Sequence, residues 1–246
     1  MMKIMVTGHS GIVGKGFLER FSDKYEIVGY SLDLGDDLSD YDNLVAKMRG
    51  CEMVVHLAAI SKPVESASFD DYLRHNVQAT ANVLKAACEV GIKRVVYASS
   101  TTVYGIEKGI PFASPVREDM PFVSQYLGVN DLRCRPCDLS YHTSKVMSEQ
   151  QVAWYGLNKK VETLALRFGP VGKVFLGTSV SMDNACHAID ISLSSPNEFW
   201  YEPFSIVDDI PHIDITKART MLGYTPTQPK YPAEVIRSTF EERTTR

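Results

Sequence analysis

The chain has 246 residues, 44% of them hydrophobic and 23% charged, enough to bury one substantial core or a core with a small annex. A net charge of −4 gives no general positive field, which argues against nucleic acid or an anionic membrane as partner. Five scattered cysteines, an odd number, fit a reduced setting better than a disulfide framework. The opening MMKIMVTGHSG has no apolar leader and no apolar run is long enough to span a bilayer, so a cytoplasmic protein is expected.

In chain order, KIMVTG (3–8) reads as a first strand, and GIVGKGFLERF after it has helical spacing. YEIVGYSL (25–32) is a second strand and DYDNLVAKMRG a helix closing at a glycine. MVVHLAA (53–59) is a third strand whose near-continuous hydrophobicity predicts burial on both faces. Residues 68–90 read as one long helix with Gly91 as its C-cap, and RVVYASS (94–100) as a fourth strand. A loop rich in Pro and Gly covers about 105–139; SYHTSKVMSEQQVAWYG is then a helix with Ser140 as N-cap. VETLALRF is another strand, and SMDNACHAIDISLSS, EFWYEPFSIV and DITKARTMLG follow as helix, strand and short helix. Such alternation predicts an α/β fold built on a doubly wound parallel sheet.

TGHSGIVG joins the first strand to the first helix, and its Gly8, Gly11 and Gly14 form G-x-x-G-x-x-G. Missing β-carbons permit a tight turn, close approach of backbone to a pyrophosphate and close helix–strand packing, with the helix N-terminus facing the phosphates. Asp33 follows at about the 20-residue distance expected of a carboxylate that holds ribose hydroxyls. Residues 26–46 contain no Lys or Arg but do contain Asp33, Asp36 and Asp37. A 2′-phosphate would meet carboxylates there, so NAD is expected in preference to NADP. Ser31 is the alternative occupant of the strand-end position, which would weaken that argument. The alternation is less regular after about residue 169. The expected division is a dinucleotide-binding unit over 1–168 and a small substrate-binding cap over 169–246, both in one compact unit.

A tyrosine four places before a lysine shares a helix face with it, and an ammonium beside a phenol lowers the phenol pKa from about 10, making a general base. The chain has three such pairs: Tyr104/Lys108, Tyr141/Lys145 and Tyr155/Lys159. The first follows a strand between Gly105 and Gly109, and the third is interrupted by Gly156 at a helix end, so neither favours a shared helical face.

The glycine turn, HLAA, NVQATANVL, YASSTTVYG and YHTSK occur in one order, followed by PVREDMP, LALRFGPVG, VSMDNACHAI and DITKARTMLGYTP. Together they resemble the extended short-chain dehydrogenase/reductase family, the sugar epimerase/dehydratase superfamily, over nearly the whole chain. The resemblance implies a Rossmann-type sheet with a small C-terminal substrate cap, and a homodimer. It implies Ser100, Tyr141 and Lys145 as catalytic residues: Tyr141 takes a sugar hydroxyl proton, Lys145 lowers the Tyr141 pKa and holds a ribose hydroxyl, and Ser100 bonds the reacting oxygen. For the cofactor it implies Gly8, Gly11, Ile12, Val13, Gly14, Asp33, Asp37, Leu38, Leu57, Ala58, Ala59 and Asn76, together with Tyr141 and Lys145. Asp36 and Asp37 are hard to separate, and Asn76 has a plain helix-polar alternative.

Dehydratases of the family carry Asp-Glu directly after the catalytic hydroxyl. Thr101 and Thr102 stand there in this chain and cannot do that work. Nucleotide-sugar epimerases carry a long clamp after the fifth strand, for which the stretch from Arg167 to Asp183 has almost no room. The layout is most similar to that of uronate dehydrogenases, although those carry Asn-His where this chain has Thr101 and Thr102. The resemblance makes Ser61, Ser100, Thr101 and Arg167 substrate-contact candidates, with Arg167 either forking a substrate carboxylate or tying a strand end to a loop. The leading expectation is an NAD-dependent oxidoreductase that acts at C1 of a sugar or sugar acid. The alternatives are an epimerase that retains its NAD and a non-catalytic dinucleotide sensor. Cys134 and Cys137 make a lone C-x-x-C without a second pair, so no metal is expected. Arg133 and Arg135 read as solvated loop residues, or as contacts to an anionic substrate or a partner subunit.

Overall fold

A computed structural model describes residues 1–105, 115–123, 135–172 and 178–227. Six strands form one sheet: β1 (Met2–Thr7), β2 (Tyr25–Tyr30), β3 (Met53–His56), β4 (Arg94–Ser100), β5 (Glu162–Phe168) and β6 (Trp200–Ile206). Their order is β2-β1-β3-β4-β5-β6 and every neighbouring pair is parallel. The chain reverses its direction of travel across the sheet between β1 and β3, and a crevice for a ligand opens at the carboxyl ends of strands at such a switch point.

Both faces of the sheet are buried. Helices α1 (Ile12–Phe21) and α6 (Met182–Ser194) pack together on one face, over Ile4, Val6, Val55 and Leu164. On the other face α2 (Tyr41–Met48), α4 (Ala79–Val90) and α5 (Pro136–Leu157) cover Met5, Val54, Val95 and Ala165. Neighbours in one strand thus enter different cores, which is why the strands read as continuous apolar runs. A short helix, α7 (Thr216–Leu222), lies beside β6.

Beyond residue 168, β6 pairs with β5 and α6 packs on the same sheet, so the described part of 169–246 is continuous with the unit that precedes it. Two expectations need correction. Helix α5 begins at Pro136 rather than at Ser140. Proline favours the first helical position, where its missing N–H costs nothing, and the Asp138 carboxylate accepts the Arg135 amide as a cap. The helix read over 68–90 is three pieces: α3 (Phe69–Tyr72), a wide π turn (Leu73–Gln78) and α4. The reciprocal Ser68–Asp71 capping box explains its start, and Gly91 at φ +80° ends it as expected. Most of the 105–139 loop, including Cys134 and Arg133, lies outside the described residues.

A buried row of polar side chains crosses under the carboxyl ends of β1 and β3. The Thr80 hydroxyl donates to the Asn76 carbonyl at 2.7 Å, so its bond with His56 Nε2 at 3.1 Å makes that nitrogen the donor. His56 Nδ1 then accepts from the Thr7 hydroxyl at 2.7 Å, while Thr7 accepts the Ala58 amide. This is a neutral imidazole. Burial, and then the Lys145 ammonium, lower its pKa to about 3. The unfolded chain, with histidine near 6.5, binds more protons than the native protein between those values. The stability is therefore complete above about pH 6.5 and lost as pH falls towards about 3. Denaturant unfolding should show a loss of about 2 kcal/mol between pH 7 and pH 5. His56→Gln should remove most of that slope.

Candidate active site

A cleft of about 1500 Å³ opens along the carboxyl edge of the sheet. At one end stands the turn from Gly8 to Gly14. Gly8 has φ +70°, and a β-carbon there would lie 2.7 Å from the Ala58 amide nitrogen. A β-carbon on Gly14 would lie 2.5 Å from the Gly8 and His9 carbonyl oxygens. Gly11 differs, since only the Gly8 oxygen, at 3.1 Å, comes near. The outer glycines are thus required by the turn itself, and the middle one leaves backbone open to the cleft. Helix α1 starts there with no side-chain cap and no acidic residue in its first turn, leaving its amides for an anionic ligand. A dinucleotide pyrophosphate fits this cradle. Ile12 and Val13 line the cleft on the same turn, as do Leu57, Ala58 and Ala59 beyond β3.

After β2 the structure separates the candidate carboxylates. Ser31 is buried and is used by the glycine turn, accepting the Ser10 amide and bonding His9 Nδ1. Asp33 follows on the cleft wall, where its carboxylate accepts the Ser10 hydroxyl. Asp36 is buried and engaged by Lys47 and Asn43. Asp37 accepts the Ser39 amide and lies 3.5 Å from Arg74, and Leu38 beside it lines the cleft. Lys47 and Arg74 are cations that the base-free stretch 26–46 did not disclose, because separate helices bring them in.

Ser61, Ser100, Thr101, Tyr141 and Lys145 all line this cleft. The Ser100 hydroxyl oxygen accepts the Thr102 amide at 3.2 Å, which leaves its proton for an oxygen in the cleft. Tyr141 and Lys145 lie one turn apart on α5, both buried. The Lys145 ammonium donates to the Ala98 carbonyl at 2.9 Å and sits 5.2 Å over the Tyr97 ring. Burial lowers its pKa to about 8, against the pull of Glu149. The rival pairs do not recreate this arrangement. Tyr104 is buried in a tight turn and Lys108 lies outside the described residues. Lys159 falls beyond the end of α5 at φ +52°.

Two predicted site residues do not face the cleft. Arg167 is 2% exposed, and its guanidinium is spent on Glu149, the Tyr104 hydroxyl and the Glu118 carbonyl. It ties β5 to α5 and a loop, and its fork is not available to a substrate carboxylate. Asn76 is 2% exposed; its amide exchanges bonds with both backbone groups of Ile60 and donates to Ser144. It braces the wall from behind. Sequence reading missed Asp138 and His142, which line the cleft from the Tyr141 helix. Asp138 lies within one turn of Tyr141 and His142 directly follows it, so correct placement of the start of α5 would have pointed to both.

Residues 4–172 match the NAD dependent epimerase/dehydratase family. The chain belongs to that family. An L-arabinose 1-dehydrogenase (NAD(P)(+)) from Haloferax volcanii is 31% identical to it over 69% of this chain and 67% of that protein. Uronate dehydrogenase from Pseudomonas syringae pv. tomato is 25% identical over 79% of this chain and 70% of its own length. Uronate dehydrogenase from Agrobacterium tumefaciens has the same fold, with a TM-score of 0.74 at 24% identity over 98% of this chain and 89% of that one. A UDP-galactose 4-epimerase structure also superposes with a TM-score of 0.74, at 22% identity over 98% of each chain. The family's cofactor is NAD, in agreement with the cradle at Gly11.

The two kinds of glycine should separate in unfolding experiments without ligand. Gly14→Ala should cost about 1–3 kcal/mol, since backbone has to move to admit the methyl group. Gly11→Ala should change stability by less than about 1 kcal/mol while weakening NAD binding, as read by denaturant midpoints and cofactor titration.

Proposed function

We propose that this protein is an NAD-dependent dehydrogenase that oxidises C1 of a free sugar or sugar acid to the lactone. The observation that carries the reading is the shared cleft: a dinucleotide cradle at one end, and a buried Tyr141 one turn from a buried ammonium at the other. Tyr141, as phenolate, takes the proton of the C1 hydroxyl. Ser100 donates to the same oxygen and fixes its position. Lys145 favours the phenolate by its charge and offers an N–H to a ribose hydroxyl. NAD, when bound, accepts the hydride that leaves C1, so sugar and NAD become lactone, NADH and a proton. Asp33 and the Gly11 backbone hold the adenosine side of the cofactor.

The connection between β5 and α6 covers only 169–181, which supports a free sugar over a nucleotide sugar. With Arg167 withdrawn into the core, preference for an acid loses its nearest donor. The resemblance to the Haloferax enzyme brings neutral aldoses into the same reading.

Mixing the protein with NAD and a panel of aldoses, uronic acids and nucleotide sugars tests this by NADH absorbance. Stoichiometric NADH from a free sugar is expected; bound NAD that co-purifies and gives no net NADH would favour an epimerase instead. Tyr141→Phe should lower turnover at least about 100-fold with little change in NAD affinity, whereas Tyr155→Phe should stay near wild type. NAD should bind at least about tenfold tighter than NADP, equivalent to about 1.4 kcal/mol, because Asp33 would oppose a 2′-phosphate. Equal or tighter NADP binding in a titration would remove the role given to Asp33.

A further inference from the structure

The buried charges outside the proposed chemistry fall in line with it. Tyr141, Lys145 and Glu149 follow each other at one-turn spacing on α5, and beyond Glu149 the line crosses to Arg167 on β5. Glu149 is fully buried. Its Oε1 accepts from Arg167 Nε at 2.9 Å, Arg167 Nη2 at 2.6 Å and the Tyr201 hydroxyl at 2.9 Å. Its Oε2 accepts the Ser99 hydroxyl. Ser99 stands between Ala98, whose carbonyl holds Lys145, and Ser100. One carboxylate therefore grips the strand end that carries both the Ser100 hydroxyl and the Lys145 acceptor.

We propose that Glu149 is a positioning residue for this site: its carboxylate keeps the Lys145 ammonium charged beside Tyr141, and its bond to Ser99 holds the end of β4 in place. The proposal rests on the reading of Tyr141 and Lys145 given above. The groups around Lys145 are few. From β3 comes His56, which is neutral; from β4 the Tyr97 ring and the Ala98 carbonyl; from α5 itself Tyr141 and Glu149. Arg167 from β5, Tyr104 and Tyr201 lie behind Glu149. Among the described residues Glu149 is the carboxylate that acts on Lys145, opposing a burial that lowers its pKa to about 8. Burial also works against the Arg167 cation, but Glu149 and Tyr104 more than offset it, so Arg167 stays charged at any working pH. Removing Glu149 alone leaves Lys145 facing an uncompensated cation. Removing both members of the pair restores the balance.

Ionisation of Lys145 can be read directly, without NAD or sugar, from the NMR shift of a 13C-labelled lysine Cε, with Lys145→Met assigning the signal. Glu149→Gln should lower the midpoint by about one pH unit or more, and Glu149→Gln with Arg167→Gln should bring it back near wild type. In turnover, Glu149→Gln should move the acidic limb of the kcat/KM profile to higher pH, because a neutral lysine no longer favours the phenolate. A purely structural tie would lower stability without moving either titration. If Glu149→Gln does not fold, Arg167→Gln carries the test: it keeps the carboxylate and removes its cation, so Lys145 should titrate above wild type. An unchanged Lys145 midpoint in whichever single variant folds would overturn the proposal. Expected titration shifts in a protein that oxidises no sugar would instead overturn the functional reading and leave the charge coupling standing.

Discussion

A carboxylate and a guanidinium sealed beneath the carboxyl edge of the sheet hold the floor of this cleft together. Glu149 and Arg167 are 0% and 2% exposed at the side chain, and between them they reach α5, β4, β5, β6, the turn at Tyr104 and the loop at Glu118. Burying two charges costs desolvation on both sides, which is recovered only when every donor and lone pair finds a partner. Among the described residues the pair and its partners come from six separate segments, so the pair is satisfied only when those segments are all in place. Loss of one member would leave a buried charge, a defect of about 3–5 kcal/mol. The arrangement therefore serves geometry more than net stability: it fixes where β4 ends relative to α5, and so where Ser100 stands relative to Tyr141 and Lys145.

A second brace acts on the opposite wall. The wide turn at Leu73–Gln78 interrupts the long helix at the point where Asn76 must reach the Ile60 backbone and the Ser144 hydroxyl. A π turn shifts the register of side chains along a helix, and such turns occur often at functional sites. Asn76 joins α5 to the segment after β3, and the neutral His56 row joins that segment to β1. The wall formed by Leu57, Ala58 and Ala59 is thus held from behind by polar contacts, while its face toward the cleft stays largely apolar and close to the glycine turn.

The same logic explains the chemistry available at the inner end. An ammonium in a buried site tends to lose its proton, and one that supports a phenolate must keep it. Lys145 has a carbonyl acceptor and an aromatic face on β4, and a carboxylate one turn away that is itself balanced. The charge state of Lys145 is set by its burial in the fold and by Glu149.

Much of this was legible in the amino-acid order alone. The alternation of apolar strands with amphipathic helices determined a parallel sheet, since strands buried on both faces and joined by helices have few other arrangements. The glycine spacing determined the cradle, because φ +70° at Gly8 and the contact with Ala58 admit no side chain. The YHTSK stretch determined the pairing of Tyr141 with Lys145, which is a property of one helix. Contacts made across the fold were not legible. Nothing local distinguishes an arginine that opens into a cleft from one that turns inward to a glutamate on another element, so the amino-acid order left both readings of Arg167 open and the fold shows the inward one. Nothing in residues 26–46 shows that Lys47 and Arg74 arrive at their acidic groups from two helices. The sequence by itself determined which elements exist and which short motifs they carry, because those depend on periodicity and on backbone sterics. Only the tertiary structure decided which charged side chains face the ligand and which neutralise one another, because burial and partner choice depend on segments that meet only in the folded chain.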